Sequence, residues 1–461
     1  MQTPPPITRR VDLLVIGGGM AGLTAAAAAS AQHANVVLVE RGDQAGGSAL
    51  YAGFVWTAPS PEVMTQVNPR GDPALAAALL DGFGDGVAWI RSLGVDCRPA
   101  VNVLRFGRGH QVDTGHYLSA CEQRIKANGG EVLTRTRAES LIVDDGTVRG
   151  AVCRRPDGSL RHVEARWTLL ATGGFQGDTG LRAQHIHPQA ADLQVRANLY
   201  SDGDGLRLGA SAGAAVGQAG AGFYGHLMPA GVPLSDPSMF VDLALYYSEH
   251  ALLFNADGER FVDETIGDHI TALALVSQPG ARGLLVADAA AYRDWITGSY
   301  VEGIPGIDKF ALAARRGARC AVADSVKDFD ILPEEWGYPG AKIGAALAAL
   351  NRDLSAGTSP RPARSYDQAL VAEPPFYVIE AAPAITFTFT GLLTDTAMRV
   401  RSAAGGVVPG LLAAGADVGG LYYQAYAGGL APALVFGLAA ARTALTAADP
   451  VGQSARQGTS G

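Results

Sequence analysis

Short apolar runs punctuated by glycine open the chain. Val11 to Ile16 is apolar apart from Asp12 and runs into Gly17, Gly18 and Gly19, Ala21 to Ala31 is dominated by alanine, and Val36 to Val39 is apolar again. Alanine has the highest helix propensity, and short apolar runs bounded by glycine fit buried strands, so the pattern predicts a β-turn-α-β unit of parallel-crossover size. Glu131 to Leu133, Ser140 to Val143, Gly150 to Arg154 and Trp167 to Ala171 predict further strands among many turn signals. From about Gly222 to Glu373 the texture changes: aromatic clusters such as Tyr246-Tyr247 and Trp336-Gly337-Tyr338 appear, and no glycine fingerprint of the opening type recurs. After Pro374-Pro375 the glycine-rich α/β texture returns, and it ends in an apolar helix around Ala433 to Leu445. The small, polar stretch from Ala447 onward predicts a disordered tail.

Composition narrows the possibilities. The chain has 461 residues, of which 48% are hydrophobic and 17% charged, enough for two packed domains. A net charge of −8, with no long basic run, argues against nucleic acid as a partner. Cys97, Cys121, Cys153 and Cys320 stand far apart, so the expectation is free thiols in a reducing compartment, and no metal site. Residues 1–10 lack the apolar core of a signal peptide, and the run that follows is broken by glycines, so it predicts a strand and no integral membrane segment. The expected location is cytoplasmic.

Gly17, Gly19 and Gly22 form G-x-G-x-x-G between the predicted strand and helix, and Glu40 closes the second strand. Gly17 permits the tight turn, Gly19 lets backbone N–H groups approach a pyrophosphate, and Gly22 lets helix and strand pack closely. The helix N-terminus favours the phosphates, and Glu40 would accept hydrogen bonds from ribose hydroxyls. This pattern alone does not separate FAD from NAD.

Further blocks do. The opening VDLLVIGGGMAGLTAAAAA, then VVLVER, GGSALYAG (Gly46 to Gly53), LLATGGF (Leu169 to Phe175), GDG (Gly203 to Gly205), GERFVDE (Gly258 to Glu264) and LLAAGADVGGLYYQAYAGGLAPALVFG (Leu411 to Gly437) resemble the fumarate reductase and 3-ketosteroid dehydrogenase superfamily of FAD enzymes, in family order. The resemblance implies an α/β fold: a discontinuous Rossmann-type FAD-binding domain, residues 1–221 and 373–446, with an α+β capping domain for substrate inserted at 222–372 and a tail at 447–461. It implies FAD contacts from Gly17, Gly19, Met20, Ala21, Gly22, Glu40, Arg41, Gly46, Gly47, Ser48, Ala171, Thr172, Gly173, Asp204, Asp417, Gly429, Leu430 and Ala431. Asp417 stands where the family more often has glutamate. Branches that bind flavin covalently use a histidine in the segment matching Gly46 to Gly53; none stands here, so non-covalent FAD is expected. Gly428-Gly429-Leu430-Ala431-Pro432 opens the last helix with proline in its first turn, and the resemblance aims this helix at the flavin pyrimidine edge.

The substrate positions depart from the dicarboxylate branch. Where those enzymes have a proton-donating arginine, just after GERFVDE, this chain has Gly267, Asp268, His269 and Ile270; where they have a substrate-binding arginine it has Tyr426; where they have histidine it has Thr386, Phe387 and Thr388. Tyrosines cluster instead. Tyr422, Tyr423 and Tyr426 with Tyr377, together with His269, are the candidate catalytic residues, and His226 is a further histidine that could face the site; the texture resembles the ketosteroid dehydrogenase branch. There, loss of a proton beside a ketone builds an enolate that needs O–H or N–H donors and a base, while the β-hydrogen leaves as hydride to flavin. The leading expectation is therefore desaturation beside the carbonyl of a cyclic ketone, with an external electron acceptor or donor such as oxygen, quinone or a redox protein. A carboxylate substrate and a flavin-binding protein without turnover are the alternatives. Arg260 is expected to form an ion pair in its turn, and Asp263 and Asp268 to cap or solvate local structure.

Overall fold

The computed structural model of the chain describes residues 9–298 and 306–447. Residues 1–8 of the opening segment and, apart from Ala447, the tail lie outside them. The chain divides into two compact units, the first formed by Met1–Leu181, Asn198–Gly222 and Phe387–Gly461, the second by Arg182–Ala197 and Phe223–Thr386.

The first unit is built on β1 (Arg9–Ile16), α1 (Met20–Ser30) and β2 (Val36–Val39). β1 pairs in parallel with β2 on one side and with Leu160–Leu170 on the other, bringing Ile16 opposite both Val39 and Leu170. Parallel pairing extends to Glu131–Leu133 beyond β2 and to Val407–Ala413 beyond Leu160–Leu170. Arg399–Arg401 and the antiparallel pair Arg137–Asp144 and Thr147–Arg154 complete an eight-stranded sheet. All four residues of β2, and Leu13 to Val15 of β1, are buried. Parallel strands covered on both faces read as continuous apolar runs, which is why these two carry no alternation.

α1 packs against the helices Thr114–Ala127 and Leu430–Thr446. Its alanines leave room for close approach, and at Gly437 a Cβ would sit 2.7 Å from the Ala21 carbonyl oxygen. A small antiparallel sheet of Phe54–Thr57, Val101–Val103 and Gly107–Gln111 carries Trp56.

The second unit has a six-stranded sheet organised on the long strand Phe376–Thr388, whose residues up to Thr386 belong to it. That strand pairs with Gly283–Ala287 and Cys320–Ala323 antiparallel and with Gln194–Val195 parallel, and it also pairs with Phe223–Pro229. Leu253, Leu285 and Ile379 enter one core cluster, while Phe254, Leu284 and Val378 enter another. This is the period-two alternation of a sheet covered on both faces. Residues 182–197 and 373–386 therefore fall in the second unit, against the boundaries at 222 and 373 expected from texture. Strand pairing decides their membership, and local composition does not report it.

Candidate functional site

The fingerprint turn forms a cradle. Gly17 has φ +107°, and a Cβ there would lie 2.2 Å from the Ala171 carbonyl oxygen; at Gly22 it would lie 2.0 Å from the Gly17 carbonyl oxygen. Glycine is required at both positions, at the first for conformation and at both for space. A Cβ on Gly19 would meet nothing within 4 Å. Gly19 is also the residue at the N-terminus of α1, where no side chain caps the helix. Open space in front of uncapped helical N–H groups is the geometry that receives a phosphate, so the residues fit a dinucleotide. Met20 and Ala21 are buried in the first turn of α1.

Around the cradle, Gly46 N–H donates to the Gly18 carbonyl at 2.7 Å, and Gly47 (φ +55°) faces Gly19. The Ser48 hydroxyl accepts from the Asn198 N–H at 3.1 Å. The Glu40 carboxylate is buried and accepts from the N–H groups of Gly18 (2.8 Å) and Gly42 (2.6 Å). Arg41 and Asp204 engage each other: Arg41 Nη1 lies 2.8 Å from Asp202 and 3.1 Å from Asp204, and Arg137 makes a second pair with Asp204 at 2.6 Å.

Asp417 is fully buried and holds the turn that follows Leu160–Leu170. It accepts from the Thr172 N–H (2.5 Å), the Thr172 hydroxyl (3.0 Å) and the Gly174 N–H (3.2 Å). The Thr172 hydroxyl in turn accepts from the Gly205 N–H at 2.9 Å, and a Cβ on Gly205 would strike the Asp417 carboxylate at 2.4 Å. Burial pushes the Asp417 carboxyl up to about 6; the N–H donors act the other way, and Asp204 adds to the rise. Ala171 joins the turn to β1 through its N–H to the Ile16 carbonyl, and Gly173 adopts φ +94°.

The three loop tyrosines take different places. The Tyr422 hydroxyl donates to the Gly428 carbonyl at 2.7 Å, and burial pushes its phenol far above the ordinary range. The Tyr423 ring lies under the Arg70 guanidinium, 3.6 Å from its centroid. Tyr426 is 8% exposed and stands in an aromatic wall, with centroid distances of 5.2 Å to Trp56, 5.9 Å to Phe387 and 5.8 Å to Tyr422. A Cβ on Gly429 would meet the Phe387 ring at 2.8 Å and the Tyr426 hydroxyl at 3.4 Å, and one on Gly428 (φ +102°) would strike the Trp56 carbonyl at 2.0 Å. The wall is thus fitted to the glycine pair preceding Leu430 and Ala431, the first residues of the last helix. Tyr377 is elsewhere: it belongs to the core of the second unit, stacked on Tyr292 at 4.0 Å with Phe310 edge-on at 5.2 Å.

In the second unit, His269 is buried, which pushes its imidazole down to about 4. Its neighbour Asp268 corrects an expectation. The carboxylate is not a solvated cap but a buried partner of His226, with Oδ2 2.6 Å from His226 Nδ1. Burial would raise the Asp268 carboxyl, but the opposing effects of His226, His269 and Arg196 hold it below its usual range. His226 lies between Tyr224 and Tyr246, each edge-on at 4.9 Å. Sequence reasoning passed over this pair; the available signal was a histidine inside the apolar strand FYGHLMP and an acid opening the apolar helix DHITALAL. Arg260 makes a forked pair with Glu264, at 2.8 and 2.6 Å.

A parallel sheet whose first turn leaves open space before an uncapped helix N-terminus, with a carboxylate fixed just past the second strand, has the geometry of a dinucleotide-binding protein of the Rossmann class. The chain belongs to the FAD binding domain family, whose profile matches residues 12–430. It is 26% identical over 437 residues to a fumarate reductase (cytochrome) of Shewanella frigidimarina, covering 89% of this chain and 72% of that protein. It is 26% identical over 462 residues to a vinyl phenol reductase of Lactiplantibacillus plantarum, covering 90% and 91%. Its fold matches a 3-ketosteroid-Δ4-(5α)-dehydrogenase structure from Rhodococcus jostii RHA1 with a TM-score of 0.75 at 20% identity, covering 96% and 98%. The chain is an FAD-dependent oxidoreductase acting on CH–CH groups. Among the described residues, no helix is long and apolar enough to cross a membrane.

Proposed function

We propose that the chain exchanges hydride between FAD and a carbon–carbon bond conjugated to the carbonyl of an apolar, cyclic ketone. The observation that carries this reading is the wall of Trp56, Phe387, Tyr422 and Tyr426 fitted to Gly428 and Gly429. Aromatic faces bind an apolar ring well and a dianion poorly. At the places where resemblance to the dicarboxylate reductases calls for cations, this chain presents Tyr426, the segment Thr386-Phe387-Thr388 and the segment Gly267-Asp268-His269-Ile270, with His269 the one basic side chain among them.

Bound FAD supplies the hydride acceptor or donor. The turn from Gly17 to Gly22, Glu40, Gly46 to Ser48, Thr172 to Gly174, Asp417 and the N-terminus of the last helix would hold it non-covalently. In this reading Arg41 and Asp204 act indirectly, by bracing one another. Tyr426 donates its hydroxyl to the substrate carbonyl oxygen, where negative charge develops. Tyr422, its hydroxyl already given to Gly428, shapes the loop, and Tyr377 packs a core. The electron partner is external, as oxygen, a quinone or a redox protein, and the setting is cytoplasmic, in keeping with four free cysteines.

A second reading keeps the wall and changes the substrate: an alkene conjugated to an aryl ring, which would take hydride from the reduced flavin after an external donor has charged it. It is favoured by the end-to-end similarity to the vinyl phenol reductase. Anaerobic titration of the yellow protein decides. Bleaching by 4-androstene-3,17-dione or cyclohexanone supports the ketone reading, and reoxidation of reduced flavin by 4-vinylphenol alone supports the second. Response to succinate or fumarate alone would overturn both.

A further inference from the structure

The loop that carries Tyr422, Tyr423 and Tyr426 is held by the short segment joining the helices Pro61–Val67 and Pro73–Ser92, 353 positions earlier at the point of contact. Asn68 ends the first helix and its N–H donates to the Met64 carbonyl, so its side chain leaves from a fixed backbone. The residue is 5% exposed and commits both ends of its carboxamide to the loop: Nδ2 donates to the Leu421 carbonyl at 2.7 Å, and Oδ1 accepts from the Tyr423 N–H at 3.4 Å. A carbonyl only accepts and a backbone N–H only donates, so the amide has one orientation and brackets Tyr422 as a paired strand would. Gly71 permits the approach, since a Cβ there would lie 2.2 Å from both Asn68 Nδ2 and the Leu421 carbonyl oxygen. Asp72 caps the second helix through Ala74 and Leu75, while its own N–H donates to the Gly420 carbonyl at 2.8 Å. On the far side of the loop Gln424 has φ +51°, a conformation disfavoured for a residue with a side chain. It is held there by its N–H to the Ala221 carbonyl at 2.7 Å and its Nε2 to the Gly220 carbonyl at 2.6 Å.

We propose that Asn68 is the positioning residue of the tyrosine loop, fixing the backbone on both sides of Tyr422 and, through it, the places of the Tyr422 and Tyr426 side chains beside Gly428 and Gly429. Residues 419–429 form neither helix nor strand, so no ladder of backbone hydrogen bonds sets their course. Side chains from outside the loop set it instead. A displacement at residues 421–423 carries the Tyr422 ring with it; the Tyr422 hydroxyl holds the Gly428 carbonyl at 2.7 Å, and the ring lies 5.8 Å from that of Tyr426. Both tyrosines therefore follow the backbone that Asn68 holds. Asparagine suits the place because it offers a donor and an acceptor in one plane. Aspartate, of the same shape, would set an acceptor against the Leu421 carbonyl, and alanine would leave both backbone groups without this partner. Asn68 takes no proton and meets no reacting atom; it acts by geometry, and a misplacement of about 1 Å in a reacting group costs up to roughly 10²-fold in rate. The effect on turnover through Tyr426 rests on the ketone reading above, whereas the placement of the loop does not.

Two measurements on the FAD-loaded protein test this. The first is 19F NMR of protein labelled with 3-fluorotyrosine, with the Tyr422, Tyr423 and Tyr426 resonances assigned by replacing each with phenylalanine. In Asn68→Ala and in the isosteric Asn68→Asp, the Tyr422 and Tyr426 resonances should shift or broaden. Tyr117, bonded to Thr24, and Tyr377, stacked on Tyr292, should keep theirs, a selectivity that general loosening of the protein would not produce. The second is a double-mutant cycle on the rate of flavin reduction by saturating 4-androstene-3,17-dione or cyclohexanone. Asn68→Ala should lower that rate roughly 10–10²-fold in the parent but less than about threefold in Tyr426→Phe, because the two residues act through one hydroxyl. Loop resonances that stay in place in both Asn68 variants would overturn the inference whatever the substrate. Equal losses of rate in the parent and Tyr426→Phe backgrounds would overturn it as well. Shifted loop resonances, with no bleaching of the parent flavin by either ketone, would sink the ketone reading and leave Asn68 as the residue that places the loop.

Discussion

The Gly18 N–H donates to Glu40 Oε2 at 2.8 Å, so the carboxylate just past β2 also fixes the glycine turn that leaves β1. Its other oxygen accepts from Gly42 at 2.6 Å. The acid thus holds two loops in the shape that receives a dinucleotide, besides any contact it makes with ribose.

Removing that acid should weaken FAD binding in an informative way. Glu40→Ala deletes charge-assisted hydrogen bonds of roughly 1.5–3 kcal/mol, an expected loss of about ten- to a hundredfold in affinity. Glu40→Gln should be no milder. Its amide NH2 would face a backbone N–H on one side, replacing an acceptor by a donor. Fluorescence titration of apoprotein with FAD checks both, and a glutamine variant binding like the parent would show that the two backbone contacts carry little.

Asp417 supplies a pH test. Its carboxyl is raised by burial from an ordinary 3.8 to about 6. Between those values the folded state binds more protons than the unfolded one, so this group's contribution to stability falls as pH rises from about 4 to 6. The total amounts to at most about 3 kcal/mol. Asp417→Asn should flatten that part of the stability curve of the apoprotein, so that the stability of the parent minus that of the variant is greater below pH ~4 than above pH ~6. Melting temperatures across this range provide the comparison. A difference constant with pH would mean the carboxyl titrates normally.

Legibility in the sequence followed the range of the forces involved. The glycine turn could be read because Gly17 and Gly22 are demanded by contacts within one β-turn-α unit. β2 and the strand end at 167–170 could be read because each buries a continuous run, while 131–133 and 150–154, which are buried only in part, were marked by the turn signals around them. The placement of Gln194–Val195 could not, since two residues pairing with Ala384 and Ile385 leave no periodic trace. Nor could the strand Phe376–Thr388 be assigned to the second unit from its texture. At the candidate site, the sequence singled out Tyr426 by its place before the Gly428-Gly429 pair, while the parts taken by Tyr422 and Tyr423 emerge only from their partners. The His226–Asp268 pair was hidden for a related reason, because each residue alone has an ordinary explanation in its own segment.

The FAD contacts proposed here include no covalent bond, and Gly46 to Gly53 carries no histidine. Heat or acid should therefore release the yellow colour into the supernatant, where its spectrum and mass should match FAD. Colour retained in the washed pellet would refute non-covalent binding.

Glu264 anchors the second unit. It is fully buried, forks with Arg260, lies 3.7 Å from the buried Arg364 and accepts the Leu253 N–H at 3.0 Å. Glu264→Ala would strand two buried guanidinium groups and a strand N–H, a loss of roughly 3–5 kcal/mol. Thermal melting should show a marked drop, larger than for Arg293→Ala, whose pairing with Glu373 is exposed on both sides. Similar melts for the two variants would mean the buried cluster relaxes to admit water.

The loop tyrosines make the last and sharpest comparison, because two phenylalanine substitutions four residues apart should act through different quantities. Tyr422→Phe removes the hydroxyl that donates to Gly428 and leaves a buried carbonyl without its partner. The expected cost is about 1–3 kcal/mol in stability, with a modest fall in flavin reduction because the Gly428-Gly429 turn loosens. Tyr426→Phe keeps the ring packed against Trp56 and Phe387 and deletes the donor proposed to meet the substrate oxygen. Melting should change little, while the rate of flavin reduction by a ketone, measured by stopped flow at saturating concentration, should fall roughly 10²–10³-fold. Ketone binding should stay near the parent's, since a donor used in the transition state alone alters rate and not affinity. If Tyr426→Phe instead melts early and reduces at the parental rate, the hydroxyl is structural. The oxygen of the substrate must then be met by another donor.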